Sequence, residues 1–212
     1  ARKAVALLRG QPVVDFDGFD ASEEEIGKLV DQAVAGLKPE QKYLRALFTG
    51  GTLTDEAMKY LGEHYPIYSN IPMTPDRHID KMTGRDGHIC LDLGEDQYTR
   101  GRPHPMIDPQ TRSDFFDSHI DETTGLVLVD VVLGYGSYKD PAGAVAESLE
   151  KARARLGASG TFAAVGSVTG TDQDPQNLEE SVAVLEKAGV IVMPSNAQAV
   201  RLADRIMAKA GM

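Results

Sequence analysis

The sequence has no tryptophan, one cysteine, and no apolar run of the length a membrane helix needs. A helical span takes about 18 or more apolar residues, so no membrane partner is expected. The lone Cys90 cannot close an intrachain disulfide, and no signal-peptide pattern opens the chain. A reducing, cytoplasmic setting follows as the expectation. Positive charge is also scarce: 22 Lys and Arg stand against 32 Asp and Glu, a net charge of −10. Such a surface repels phosphate backbones and argues against a nucleic-acid partner. What is present is 212 residues, 42% hydrophobic and 25% charged, the composition of a globular protein with room for one sizeable α/β domain. The chain opens at Ala1 rather than a methionine, as a processed product or the end of a longer protein would.

Residues 1–40 read as a short appendage: an apolar strand over 4–8, an acidic loop, and a helix. Ser22 with Glu25 forms a capping box for that helix. Behind it Ile26, Leu29, Val30, Ala33, Val34 and Leu37 recur at three-to-four spacing and make one apolar stripe to dock. The acids Glu23 to Glu25 suit the positive end of a helix better than a metal. From residue 43 to 212, short apolar runs alternate with helical patterns, the signature of βα units. The candidate strands are 44–48, 89–93, 126–133, 162–168 and 190–192. They predict an α/β, flavodoxin-like fold: a five-stranded parallel sheet in the order 2-1-3-4-5 with helices on both faces. Asp108-Pro109, Asp140-Pro141 and Asp174-Pro175 each read as N-cap followed by first helical residue, and Ser195 caps the last helix.

Ligands of open parallel sheets lie beyond the carboxyl ends of the strands. Three glycine-bearing turns are predicted there: Gly50, Gly51 and Thr52; Gly134, Tyr135 and Gly136; Gly170 and Thr171. Glycines let backbone N–H groups approach an anion, and a helix start adds a favourable dipole. Together they predict a phosphate or carboxylate pocket, although neither a Walker-A nor a GxGxxG pattern is present. The segment from Asp92 to Asp96, followed by Arg100 to Pro109, is the densest in chemistry. Arg102 can clamp an oxyanion, and His104, held between Pro103 and Pro105, can serve as acid, base or phosphoryl acceptor. The competing reading is a surface loop whose arginines pair with Glu95, Asp96 and Asp108. His78, His88 and Cys90 lack zinc spacing, so no metal is assigned. Ser167 lacks a nucleophile-elbow pattern, and His64 and His119 read as structural.

The runs RALFTGGTLTDEAM (45–58), HICLDLGED (88–96), YTRGRPHPMIDP (98–109), VLVDVVLGYGSYKDPAG (127–143), SVTGTDQDPQ (167–176) and AGVIVMPSN (188–196) closely resemble the C-terminal half of the FdrA family. These are acyl-CoA synthetase-like proteins related to succinyl-CoA synthetase. The resemblance covers residues 43–212 and implies a CoA-ligase-like domain. Residues 1–40 would then be the tail of a preceding CoA-binding-like domain. It further implies a carbamoyltransferase subunit of allantoin and purine catabolism, which makes oxamate and carbamoyl phosphate from oxalurate and phosphate. Phosphate or CoA are the implied ligands, and other subunits or the missing N-terminal domain the implied partners. The synthetases' GHAGA phosphohistidine run is absent, so that chemistry is carried to no residue here. The alternative is a non-catalytic CoA-ligase-fold module for subunit assembly or CoA binding.

Overall fold

The computed structural model describes residues 2–13, 18–79 and 86–212. Its centre is one all-parallel sheet of six strands: β1 (Tyr43–Phe48), β2 (Ile67–Tyr68), β3 (His88–Asp92), β4 (Thr124–Val132), β5 (Ala163–Thr169) and β6 (Val190–Met193). The spatial order is β2-β3-β1-β4-β5-β6. The five predicted strands stand in the predicted order. The sixth, β2, adds two residues at the edge beyond β3, paired Ile67 to His88 and Tyr68 to Ile89. A two-residue strand behind Pro66 is too short to show any alternation, which is why the count of five is corrected to six.

Strands buried on both faces call for apolar residues throughout, and β4, buried from Thr124 to Val131, is apolar over Leu126 to Val129 and again at Val131, with Asp130 the exception. Helices α2 (Glu23–Val34), α3 (Gly51–Leu61) and α8 (Asn196–Ala210) cover one face, over Leu44, Ala46, Phe48, Leu126, Leu128 and Val165. Helices α5 (Gln110–His119), α6 (Pro141–Leu156) and α7 (Leu178–Lys187) cover the other, over Leu47, Leu91, Val127, Val129 and Val131. Ile26 and Val30 of α2 belong to the first of these cores, with Leu29 and Val34 packed at its border. The predicted stripe is therefore docked within the chain itself.

Three local expectations are corrected. Residues 4–8 belong to helix α1 (Arg2–Leu8), not to a strand. Alanine, leucine and arginine favour helix, and no neighbouring strand offers the segment a ladder. Asp174 does not start α7; Asn177 does, its side chain accepting from Glu180 N. Asp174 instead closes the turn before it. Pro109, not Asp108, occupies the cap position of α5, while Asp108 Oδ1 accepts from Gln110 N. The Asp140 and Ser195 caps stand as predicted, as does the Ser22–Glu25 capping box. Cys90 is fully buried. No helix among the described residues is long and apolar enough to cross a membrane.

Candidate functional site

The chain passes from β1 to the left of the sheet through β2 and β3, then crosses to β4 on the right of β1. The crevice at that reversal, between the ends of β1 and β4, is where such sheets ordinarily receive a ligand. Here a protein side chain fills it. Asp130, near the end of β4, has no exposed surface. Its carboxylate accepts from Thr49 N at 2.8 Å, Gly50 N at 2.9 Å and Thr49 Oγ1 at 3.1 Å. Arg112 of α5, itself buried, donates Nη1 to Asp130 Oδ1 at 3.1 Å and to its carbonyl at 2.6 Å. Burial lowers the Arg112 pKa and Asp130 opposes that shift. Both carboxylate oxygens of Asp130 are engaged within the chain.

The other side of β1 is built differently. Asp92 ends β3 and is 5% exposed. Its backbone is clamped by Asn70, which donates Nδ2 to Asp92 O at 2.9 Å and accepts from Asp92 N at 3.0 Å. Among the described residues the side chain takes one hydrogen bond, from Gly94 N to Oδ1 at 2.9 Å. Its second oxygen lies 2.7 Å from where a Cβ on Gly51 would sit, so only glycine permits this approach. Burial raises the Asp92 pKa; Gly94 and His104 pull it back, and Glu95 and Asp130 push it up further.

His104 completes the group. A Cβ on Gly94 would collide with its Nε2 and would lie 3.1 Å from Asp92 Oδ1. His104 Nδ1 accepts from Met106 N at 3.2 Å, an arrangement that assigns the ring proton to Nε2. The loop is anchored by Tyr138 N donating to Met106 O at 2.6 Å. Opposite stands the first turn of α3. Leu53 N and Thr54 N both bond to Gly50 O, while Gly51 N and Thr52 N have no partner among the described residues.

The remaining sequence-predicted residues are placed elsewhere. Arg102 is bound to α5, through Thr111 Oγ1 at 3.2 Å and Asp114 Oδ2 at 3.3 Å. Its carboxylate partner is not among the three acids named for it. Gly134 N donates to Gln176 Oε1 and Gly134 O accepts from Gln176 Nε2. Thr171 N donates to Asp174 Oδ2 at 2.7 Å, and Gly170 lies against Leu133. Tyr135 is exposed, and Gly136 has open space around it. A groove of about 470 Å³ between α5 and α6, lined by Gln110, Tyr138, Lys139 and Lys151 among others, includes none of the three turns. Among the described residues no three His, Cys, Asp or Glu are placed to hold a metal. Sequence reasoning assigned no role to Asp92, Asp130, Arg112 or Asn70. The available signal was an aspartate inside each of two apolar strand runs, since a charge at such a position is rare without a specific partner or task.

Arg102 and Arg112 are paired with Asp114 and Asp130. The CoA-ligase family model matches residues 47–206 of the chain. The uncharacterized protein YahF of Escherichia coli (strain K12) is 38% identical over 184 residues, which are 85% of this chain and 36% of that protein. The chain thus spans about a third of the length of this relative.

Proposed function

The chain belongs to the CoA-ligase family, and on that premise we propose that its α3 turn binds an acyl or carbamoyl phosphate, as part of a carbamoyltransferase of the FdrA type. The observation that carries this reading is the pair of N–H groups of Gly51 and Thr52 with no partner among the described residues, at a turn whose Gly51 lies against Asp92 Oδ2, with His104 beside Asp92 Oδ1 at Gly94. The likeness of the GRPHPMIDP and TGGT runs to FdrA proteins supplies the reaction class.

In the proposed reaction a phosphate oxygen bonds to the carbamoyl carbon of oxalurate. The bond from that carbon to the oxamate nitrogen breaks, and the departing nitrogen takes up a proton. Negative charge gathers on the carbamoyl oxygen as the new bond forms. Gly51 N–H and Thr52 N–H, at the positive end of α3, offset it without reorganising, and His104 Nε2–H, beside Gly94 and Asp92 Oδ1, is assigned as a third donor. Asp130 and Arg112 hold the turn that presents these donors. Loss of one such donor typically costs about 10²–10³ in kcat.

Thermal unfolding of the protein with phosphate, carbamoyl phosphate, oxamate and CoA tests the reading, because a ligand bound only by the folded state raises Tm. Carbamoyl phosphate is expected to raise Tm, and His104→Ala to remove most of that rise. A rise with CoA alone would favour the assembly module instead, and no rise with any of the four would overturn the proposal. Oxalurate phosphorolysis by the full-length protein with its co-purifying subunits is the matching activity assay.

A further inference from the structure

At the opposite end of the sheet from the candidate site, a side chain stands in for a backbone acceptor. β1 and β3 come into register at Arg45 and Ile89. One residue earlier, Leu44 N donates to His88 Nδ1 at 3.2 Å, so an imidazole closes the first rung of this pairing. The bond places the proton of the neutral ring on Nε2 and leaves Nδ1 as the atom that an added proton must take. A proton on Nδ1 and the bond from Leu44 N exclude each other, because two donors would then face one another. His88 is only 6% exposed. Its ring meets Tyr43 of β1 and Tyr65, just before β2, in T-shaped contacts at 5.8 and 5.6 Å. The fully buried Arg45 donates Nη1 to Leu44 O at 3.1 Å and to Gly87 O at 2.6 Å, the carbonyls beside the same rung. Asp86 and Asp121 act on Arg45 and favour its charge. A cation at His88 would therefore be buried next to one already there. Burial and Arg45 together push the His88 pKa down to about 4. Asp92, at the far end of the same strand, is pushed the other way by burial, so acid does not work against it.

Much hangs on this rung. β2 is two residues long and joins the sheet through Ile67 with His88 and Tyr68 with Ile89. Just beyond β2, Asn70 holds the backbone of Asp92. We propose that His88 is an acid-sensitive latch: a proton on Nδ1 frees β2 and the start of β3 from β1, and with them the hold of Asn70 on Asp92, while β1, β4, β5 and β6 stay paired. The latch stands whatever the α3 turn binds. Its sign follows from the two states of the ring. The closed edge keeps His88 neutral down to about pH 4, whereas a freed edge exposes a histidine that takes its proton near the ordinary 6.5. The closed edge is thus fully stable above the ordinary value and weakens as pH falls from there toward 4. Between pH 7 and pH 5 its opening equilibrium should rise about twentyfold.

Amide hydrogen exchange of the intact chain at pH 7 and pH 5, corrected for the intrinsic exchange rates, tests this. Protection of Leu44 and of residues 88–91 is expected to drop about twentyfold, and that of Val127 to Val129 in β4 to change by less than about threefold. His88→Gln, whose side-chain oxygen can accept from Leu44 N but takes no proton, should keep its protection over the same range. Equal native protection of Leu44 and residues 88–91 at the two pH values would overturn the proposal. So would a loss spread evenly over all the strands, or a His88→Gln protein that opens as the native one does. If that variant does not fold, NMR titration of the native His88 ring decides. A ring still neutral well below pH 6 while the Leu44 amide is protected supports the latch, and one that titrates near its ordinary value with that amide still protected overturns it.

Discussion

Asp130 and Asp92 are the same residue type, stand near the ends of the two strands that flank β1, and face the same glycine turn. One is saturated. Thr49, Gly50 and Arg112 occupy both oxygens of Asp130. The other is left open, with a single bond from Gly94 N. The difference separates two uses of a buried charge. A carboxylate with both oxygens engaged ties elements together, whereas one with a single internal hydrogen bond leaves its second oxygen open to solvent or to a bound molecule. The ordinary ligand crevice of the fold has become a knot, and the carboxylate with one internal hydrogen bond lies one strand over, on the β1–β3 side.

The sharpest way to break this comparison is Asp130→Ala. It leaves Arg112 buried and without its carboxylate, and such losses run to about 3–5 kcal/mol. Urea unfolding should show the full loss, and a loss below about 1 kcal/mol would place the Arg112–Asp130 pair among interactions of little weight. Gly51→Ala comes next. Its new methyl would sit 2.7 Å from Asp92 Oδ2, an overpacking worth about 1–3 kcal/mol. Adding Asp92→Ala should recover part of that loss, a coupling that a double-mutant cycle reads directly.

Asp92→Asn sharpens the contrast by sign. Because burial raises the folded-state pKa of Asp92, the native protein loses stability as pH rises through that pKa, and the asparagine variant does not. The variant should therefore show the higher Tm near pH 8, by about 2–4 °C per kcal/mol gained, with the gap closing as pH falls below the ordinary aspartate value of about 3.8. A lower Tm at pH 8 would assign Asp92 a structural role like that of Asp130. The smallest effect belongs to Arg102→Ala. Its bond to Asp114 is half exposed, so the expected loss is below about 1 kcal/mol in chemical denaturation.

The sheet was legible in the sequence because a strand buried on both faces must be apolar throughout, and the runs at residues 44–48, 89–93, 126–133 and 162–168 are nearly so. Their order followed from the handedness of βα crossovers. Edge strand β2 and helix α1 were not legible, since two residues carry no period and KAVALL fits either state until a ladder is offered or withheld. For the site, the TGGT turn and His104 were visible as motifs. Asp92 was not, because its role depends on Asn70 and Gly51, brought beside it only by folding. Arg102 drew attention through its charge, while the arginine that reaches the sheet is Arg112, in the first turn of α5.

The placement of β1 has a consequence for biosynthesis. β1 is made early, yet both of its neighbours, β3 and β4, come later in the chain, and the carboxylate that fastens Thr49 and Gly50 belongs to the later of the two. A nascent chain carrying β1 and α3 therefore presents an apolar strand with two unpaired edges until β3 has left the ribosome, and with one until β4 has. Pairings this distant in sequence form slowly, and the interval before them is when such an edge is open to chaperones or to wrong partners. The Asp130 clasp thus sets the moment in translation at which the glycine turn first acquires its working shape.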